Sequence, residues 1–274
     1  MSQLVPHQPV FDLADYVRHP HQVRAQDLGL AAIGELPAPA VLALQHALAV
    51  EDATLTVMRD LLLTPTHAEA TVTAFLSTWA YEKYWVGRAL RQVLADQSVP
   101  APRAPGLGLR LRGAVDERLR PIVDAIVTNL QGERVVAGHM VTGLVDTLVT
   151  RLTFIRLAEL APPLTLLSNA VLAVTDRHVA FYTEQARERL RADAGARRSA
   201  HHALRRWRWP GTALADPDRI AAVLRYLLRG PRARGQVLAV DDHLATLGRW
   251  PRGYTPSPVR TEFGRFVVRG TTGA

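Results

Sequence analysis

The chain has 274 residues and a formal charge of +8, from 33 Lys and Arg against 25 Asp and Glu, and it contains no cysteine. That length can bury a large core, and one domain with appended helices is expected. Without cysteine, disulfides, iron–sulfur clusters, thiolate metal sites and cysteine nucleophiles are excluded, so Glu, Asp, His, Lys, Tyr and Arg must carry any chemistry.

Lys83 is the only lysine. Arg in place of Lys reads as codon bias in a GC-rich genome, which makes the basic excess weak evidence for a polyanion partner. Residues 1–17, MSQLVPHQPVFDLADYV, show no basic stretch followed by an apolar one, so a standard secretion signal is not expected and the chain reads as cytoplasmic.

A short helical patch at Phe11–Arg18 lies in an N-terminal extension over 1–40. Four long helical patterns follow, from about Val41 to Leu63, Ala68 to Ala95, Ala114 to Glu159 with a break at Gln131–Gly132, and Leu164 to Ala194. The first two form one antiparallel hairpin and the last two another, joined through the Pro-rich stretch Pro100–Gly113. Together they make a core over 41–195. A C-terminal helical extension over 196–250 adds segments at His201–Trp209, from Asp216–Pro217 to Leu228, and at about Pro231–Leu247, and residues 251–274 read as an irregular tail. The most apolar stretches, about 135–149 and 157–174, are interrupted by His139, Asp146, Glu159 and Pro162–Pro163, so they read as core helices rather than membrane spans.

The apolar stripes carry ionisable residues at their centres. In the second helix Val72, Leu76, Trp79, Lys83, Val86, Leu90 and Val93 follow 4-3-4-3 spacing, the pattern of a buried face. A buried ammonium needs a counter-charge or loses its proton. Glu51, central in the stripe Leu44, Leu48, Leu55, Met58, Leu62, is the first candidate partner, and His178 sits centrally among Leu167, Val171, Val174 and Phe181. In the third helix Asp146 lies with His139, Thr142 and Thr153 on a more polar face, beside the apolar stripe Val141, Val145, Leu148, Leu152, Ile155. That face is either solvated or turned to the bundle axis.

The arrangement resembles the ferritin-like di-iron carboxylate proteins, in which the first and third helices each give a carboxylate and the second and fourth each give Glu-x-x-His. The run Arg177 to Phe181 is similar to the Arg-His-Val-Ala-Phe end of their fourth helix. Trp79 to Gly87, WAYEKYWVG, looks like the Trp-Asn-x-Glu-Glu-x-Trp-His-Gly segment of actinobacterial members, and Gly143 to Thr147 is similar to their Gly-Ala-x-Asn-Glu. The resemblance implies an all-α, ferritin-like helical bundle of two antiparallel hairpins with a long crossover. On that pattern Glu51, Asp146 and His178 match ligand positions. The helix-two pair has become Lys83-x-x-Val86 and the helix-four pair Thr175-x-x-His178, so three of six ligands are missing and a di-iron centre is not expected. Shifting by one residue brings in Glu82, but its partner is then Trp85.

The resemblance therefore implies a metal-independent enzyme of bacterial secondary metabolism, a cyclase, isomerase or lyase performing proton transfer on an apolar intermediate, without cofactor. Glu51, Lys83, Asp146 and His178 are its candidate catalytic residues, and Tyr81, Glu82, Trp85, Thr175 and Tyr182 its candidate substrate contacts. Two alternatives stay open: a divergent metal-dependent oxygenase or oxidase with a reduced site, and a non-catalytic ligand-binding or partner protein. The expected partner is a small-molecule substrate, with a homodimer as a further option and neither nucleic acid nor membrane. The basic-aromatic run Arg205 to Trp209 superficially matches a single-strand binder. Structural readings compete at each position: a salt bridge for Lys83, a satisfied core imidazole for His178, ordinary packing for the aromatic residues.

Overall fold

The computed structural model describes residues 3–6, 10–30, 33–97 and 134–271, and side chains as far as 266. The Pro100–Gly113 linker, the expected helix over 114–133 and its break at Gln131–Gly132 lie outside the described residues. Within them the protein is all-helical, with no strand.

Helix α1 (Leu13–Arg18) starts where the Asp12 carboxylate accepts the Asp15 N–H, and α2 (Ala38–Asp52) begins after Pro37. A single residue, Ala53, separates α2 from α3 (Thr54–Leu62). The sequence predicts one unbroken helix here. Asp52, Thr54, Thr56 and Val57 are all poor helix formers, and the break falls among them. Its consequence is that the apolar stripe does not continue: Leu44 and Glu51 are buried, whereas Leu55 is 66% exposed.

Helix α4 (Ala70–Ala95) returns antiparallel along α2 and α3, and buries every member of its predicted stripe, Lys83 included. Helices α5 (Arg134–Leu160) and α6 (Thr165–Ala192) form the second hairpin across the Pro162–Pro163 turn. The hairpins meet where α2 touches α5 and α4 touches α6.

Stretches 38–62 and 134–160 are long and apolar enough, by length and composition alone, to cross a membrane. In this structure α5 is the central helix, covered by α6 and by α7 (Ala194–Arg206), which the Asp193 carboxylate caps by accepting the Gly195 and Ala196 N–H groups. Helices α8 (Pro217–Leu227) and α9 (Gly230–Ala245) then pack on α2 and α5 respectively.

The tail departs from expectation. Residues 251–257 are largely irregular, but Pro258–Thr271 form α10. Its cap comes from a distant residue: the Asp241 carboxylate on α9 accepts the Val259 and Arg260 N–H groups, each at 3.1 Å. A tertiary cap of this kind leaves no local signature.

Candidate functional site

Each core helix turns at least one ionisable side chain inward. From α4, the Lys83 ammonium donates to Glu51 Oε1 of α2 at 2.5 Å, and the two side chains are 10% and 1% exposed. The predicted pairing is present. Burial raises the Glu51 carboxyl above its ordinary value, while the Lys83 charge and hydrogen bond pull it down. Its second oxygen, Oε2, is buried and has no hydrogen-bond partner.

Asp146 on α5 is half-buried, and its polar face turns toward the segment after α7, where Trp207 Nε1 donates to Oδ1 at 2.7 Å. Burial lifts its carboxyl to about 6, partly offset by the indole bond and the Lys83 charge. Burial also holds the His178 imidazole below its usual value; hydrogen bonding to Glu82 opposes this, and the Lys83 and Arg177 charges add to it. Lys83 is thus the charge that Glu51, Asp146 and His178 share through space.

The four do not close into one cluster. His178 Nε2 lies 2.7 Å from Glu82 Oε2, which also accepts the Tyr16 hydroxyl at 2.9 Å. Glu82 Oε1 accepts the His21 N–H at 2.7 Å and faces the Arg177 guanidinium at 3.6 Å. Burial pushes the Glu82 carboxyl up, but these donors outweigh it and hold it below its ordinary value. An ionised Glu82 acceptor fixes the neutral imidazole as the Nε2–H tautomer. Glu82 was expected to touch substrate, and His178 to do catalysis. In the structure they bind each other and clasp the N-terminal segment, the two carboxylate oxygens meeting four donors.

The remaining predicted contacts separate in the same way. Thr175 is buried, receiving Arg151 Nη1 at 3.0 Å while its hydroxyl bonds back to the Val171 and Leu172 carbonyls. Tyr182 packs against Phe75 and over Gly143, and burial raises its phenol. Trp85 lines a cleft of about 470 Å³ between Arg24 and Arg88, whose guanidinium carbons lie 5.7 and 5.2 Å from its ring centre.

Tyr81 alone of these five joins Glu51 and Lys83. It lines a pocket of about 440 Å³, between α2–α3 and α4, whose walls include Leu55, Met58, Ala80 and Tyr84. That volume suits a small molecule. Asp52 and Arg91 form an ion pair at its rim. Thr54, which the sequence reading missed, also lines it; its hydroxyl is buried and unpartnered. Its only signal was its place in the weak helical run after Glu51.

On the other side of Glu51 a cavity of about 20 Å³ is bounded by His46, Val149 and Trp209. Among the described residues no group of three or more His, Asp or Glu side chains stands at metal-binding spacing, so Glu51, Asp146 and His178 do not form a ligand triad. No protein-family model, curated protein or solved structure matches the chain.

Proposed function

We propose that this protein is a small-molecule enzyme on a ferritin-like scaffold whose metal positions have passed to paired side chains, and that it moves a proton on a largely apolar substrate. The observation that carries this reading is the Lys83–Glu51 pair at the wall of the 440 Å³ pocket, with one carboxylate oxygen unsatisfied. The two helix hairpins, with Glu51, Lys83, Asp146 and His178 drawn one from each core helix, support the scaffold part.

The chemistry follows from what each group still has to offer. An ammonium has three donors, and Lys83 uses one on Glu51. The Glu51 carboxylate takes a proton from a carbon next to a carbonyl; the C–H pair becomes a C=C bond and the carbonyl pair moves onto oxygen, where the Lys83 ammonium stabilises it. Returning the proton to a different carbon completes an isomerisation, and loss of a neighbouring leaving group completes an elimination. A carboxyl raised by burial is a better base than an exposed one. Asp146 and His178 feel the Lys83 charge but bond Trp207 and Glu82, away from this pair.

The test is deuterium incorporation from D₂O into a panel of apolar ketones and enones, followed by mass spectrometry. Wild type should accelerate exchange for at least one member, and Glu51→Gln should lower the rate about 100-fold or more with an unchanged circular dichroism spectrum. Equal rates for both proteins, or stoichiometric iron or manganese with O₂-dependent turnover, would overturn the proposal.

A further inference from the structure

On another face of α4 we infer a second binding site, for an organic phosphate: a phosphate monoester carrying a small apolar body. The site is the cleft of about 470 Å³ at Trp85. It shares no lining residue with the pocket of Glu51 and Lys83, so it does not depend on the proton-transfer reading.

Two stretches of chain build the cleft. Trp85, Arg88 and Gln92 recur at three and four positions, which sets them on one face of α4, beside the face of Lys83, Gly87 and Arg91. The opposite wall is the segment after α1, with Arg24 and Gln26. Gly29 closes the 3-10 turn Ala25–Leu28 at a φ of 59°, the left-handed region that glycine enters without strain.

Charge gives the sign of the ligand. Among the described residues the charged side chains lining the cleft are Arg24 and Arg88, both exposed, and no Asp or Glu joins them. Neither arginine forms an ion pair among those residues, whereas Arg91 pairs with Asp52, Arg177 faces Glu82 and Arg189 pairs with Glu69. Both guanidiniums are instead held against the Trp85 ring, at 5.7 and 5.2 Å from its centre. Two cations tethered to one indole repel each other. An anion between them removes that repulsion and gains a charge-assisted bond to each.

The free donors give its kind. A guanidinium offers five N–H groups in a planar fork that matches phosphate oxygens. Arg24 uses Nε on Gln22 Oε1 at 2.7 Å, and Arg88 makes no hydrogen bond among the described residues. A phosphate monoester carries a charge of about −2 near neutral pH and balances both arginines, where a carboxylate balances one. Inorganic phosphate alone does not fill the cleft, whose volume is that of a small-molecule site. Ala25, Leu30 and the half-buried Trp85 ring offer the remaining, apolar surface.

Calorimetric titration of the full-length protein at low salt tests this with phenyl phosphate, inorganic phosphate, benzoate and benzylammonium. Phenyl phosphate should bind at least about tenfold more tightly than inorganic phosphate, which lacks the ring, and than benzoate, which lacks the second charge. Benzylammonium should not bind. Arg24→Gln and Arg88→Gln should each weaken phenyl phosphate about tenfold or more. Arg225→Gln, which removes an equally exposed charge on α8 outside the cleft, should leave its affinity unchanged. No saturable binding of phenyl phosphate, equal affinity for inorganic phosphate or benzoate, or a loss in Arg225→Gln as large as in Arg88→Gln would each overturn the inference. If phenyl phosphate ranks first and no deuterium exchange is catalysed, this site stands and the enzymatic reading falls.

Discussion

Lys83 and Glu51 illustrate what a buried ion pair does and does not contribute. The attraction is opposed by the desolvation of both charges, so the pair adds little net stability, yet removing one member leaves an uncompensated charge. Lys83→Met should therefore destabilise the fold by about 3–5 kcal/mol in urea unfolding, and the double variant Lys83→Met with Glu51→Met should recover most of that loss. Non-recovery in the double variant would show that the pair contributes more than mutual neutralisation. The pairing was legible in the sequence, because each residue sat at the centre of an apolar stripe on adjacent helices. The N-terminal partners of Glu82 were not. Tyr16 and the His21 N–H come from the N-terminal segment, more than 60 positions from Glu82, and no periodicity reports a contact of that kind.

At the level of helices, the long periodic elements were legible because α4, α5 and α6 bury continuous stripes. Local reading failed where geometry depends on a neighbour. The break at Ala53 makes Leu55 part of the exposed pocket rim, and α10 depends on a cap from α9. The contact between α5 and α6 turns on one glycine. A Cβ on Gly143 would run into the ring of Tyr182, which Phe75 and Phe181 hold in place. Gly143→Ala should cost about 1–3 kcal/mol by overpacking, read as a lower urea midpoint with an unchanged m-value. Arg151, 2% exposed, ties α5 to the Gln3 and Leu4 carbonyls and to Leu172, Thr175 and Asp176 of α6. Arg151→Met should release the N-terminal segment, and limited proteolysis should then cut before residue 24 faster than in wild type.

Across the whole molecule, burial sets two groups of ionisable residues against each other. His139 and His243 are lowered to about 4 by burial, and Asp146 and Asp241 are raised to about 6. As pH falls from 6.5 to 4 the unfolded imidazoles take up protons that the folded ones refuse, which lowers stability. Over nearly the same window the folded carboxyls protonate before the unfolded ones, which raises it. Asp146→Asn removes a stabilising uptake, so its melting temperature should fall more steeply than wild type between pH 6 and 4. His139→Gln should fall less steeply. Differential scanning fluorimetry across that range reads both slopes, and departures from the wild-type slope in the same direction for the two variants would contradict the assignment.

The clasp around Glu82 also imposes an order in time. Residues 3–6 and 10–24 are synthesised before the side chains that hold them: Glu82, Arg151, Arg177 and Glu184. Phe11 and Tyr16, destined to pack against Phe75 and Phe181, must wait unpaired while the hairpins form. Closing contacts as distant as Phe11 to Glu184, 173 positions apart, comes late because the entropy of such a loop must be overcome before the contact forms. This N-terminal segment is therefore the last to reach its place, and a refolding experiment should find Tyr16 buried only in the slowest phase.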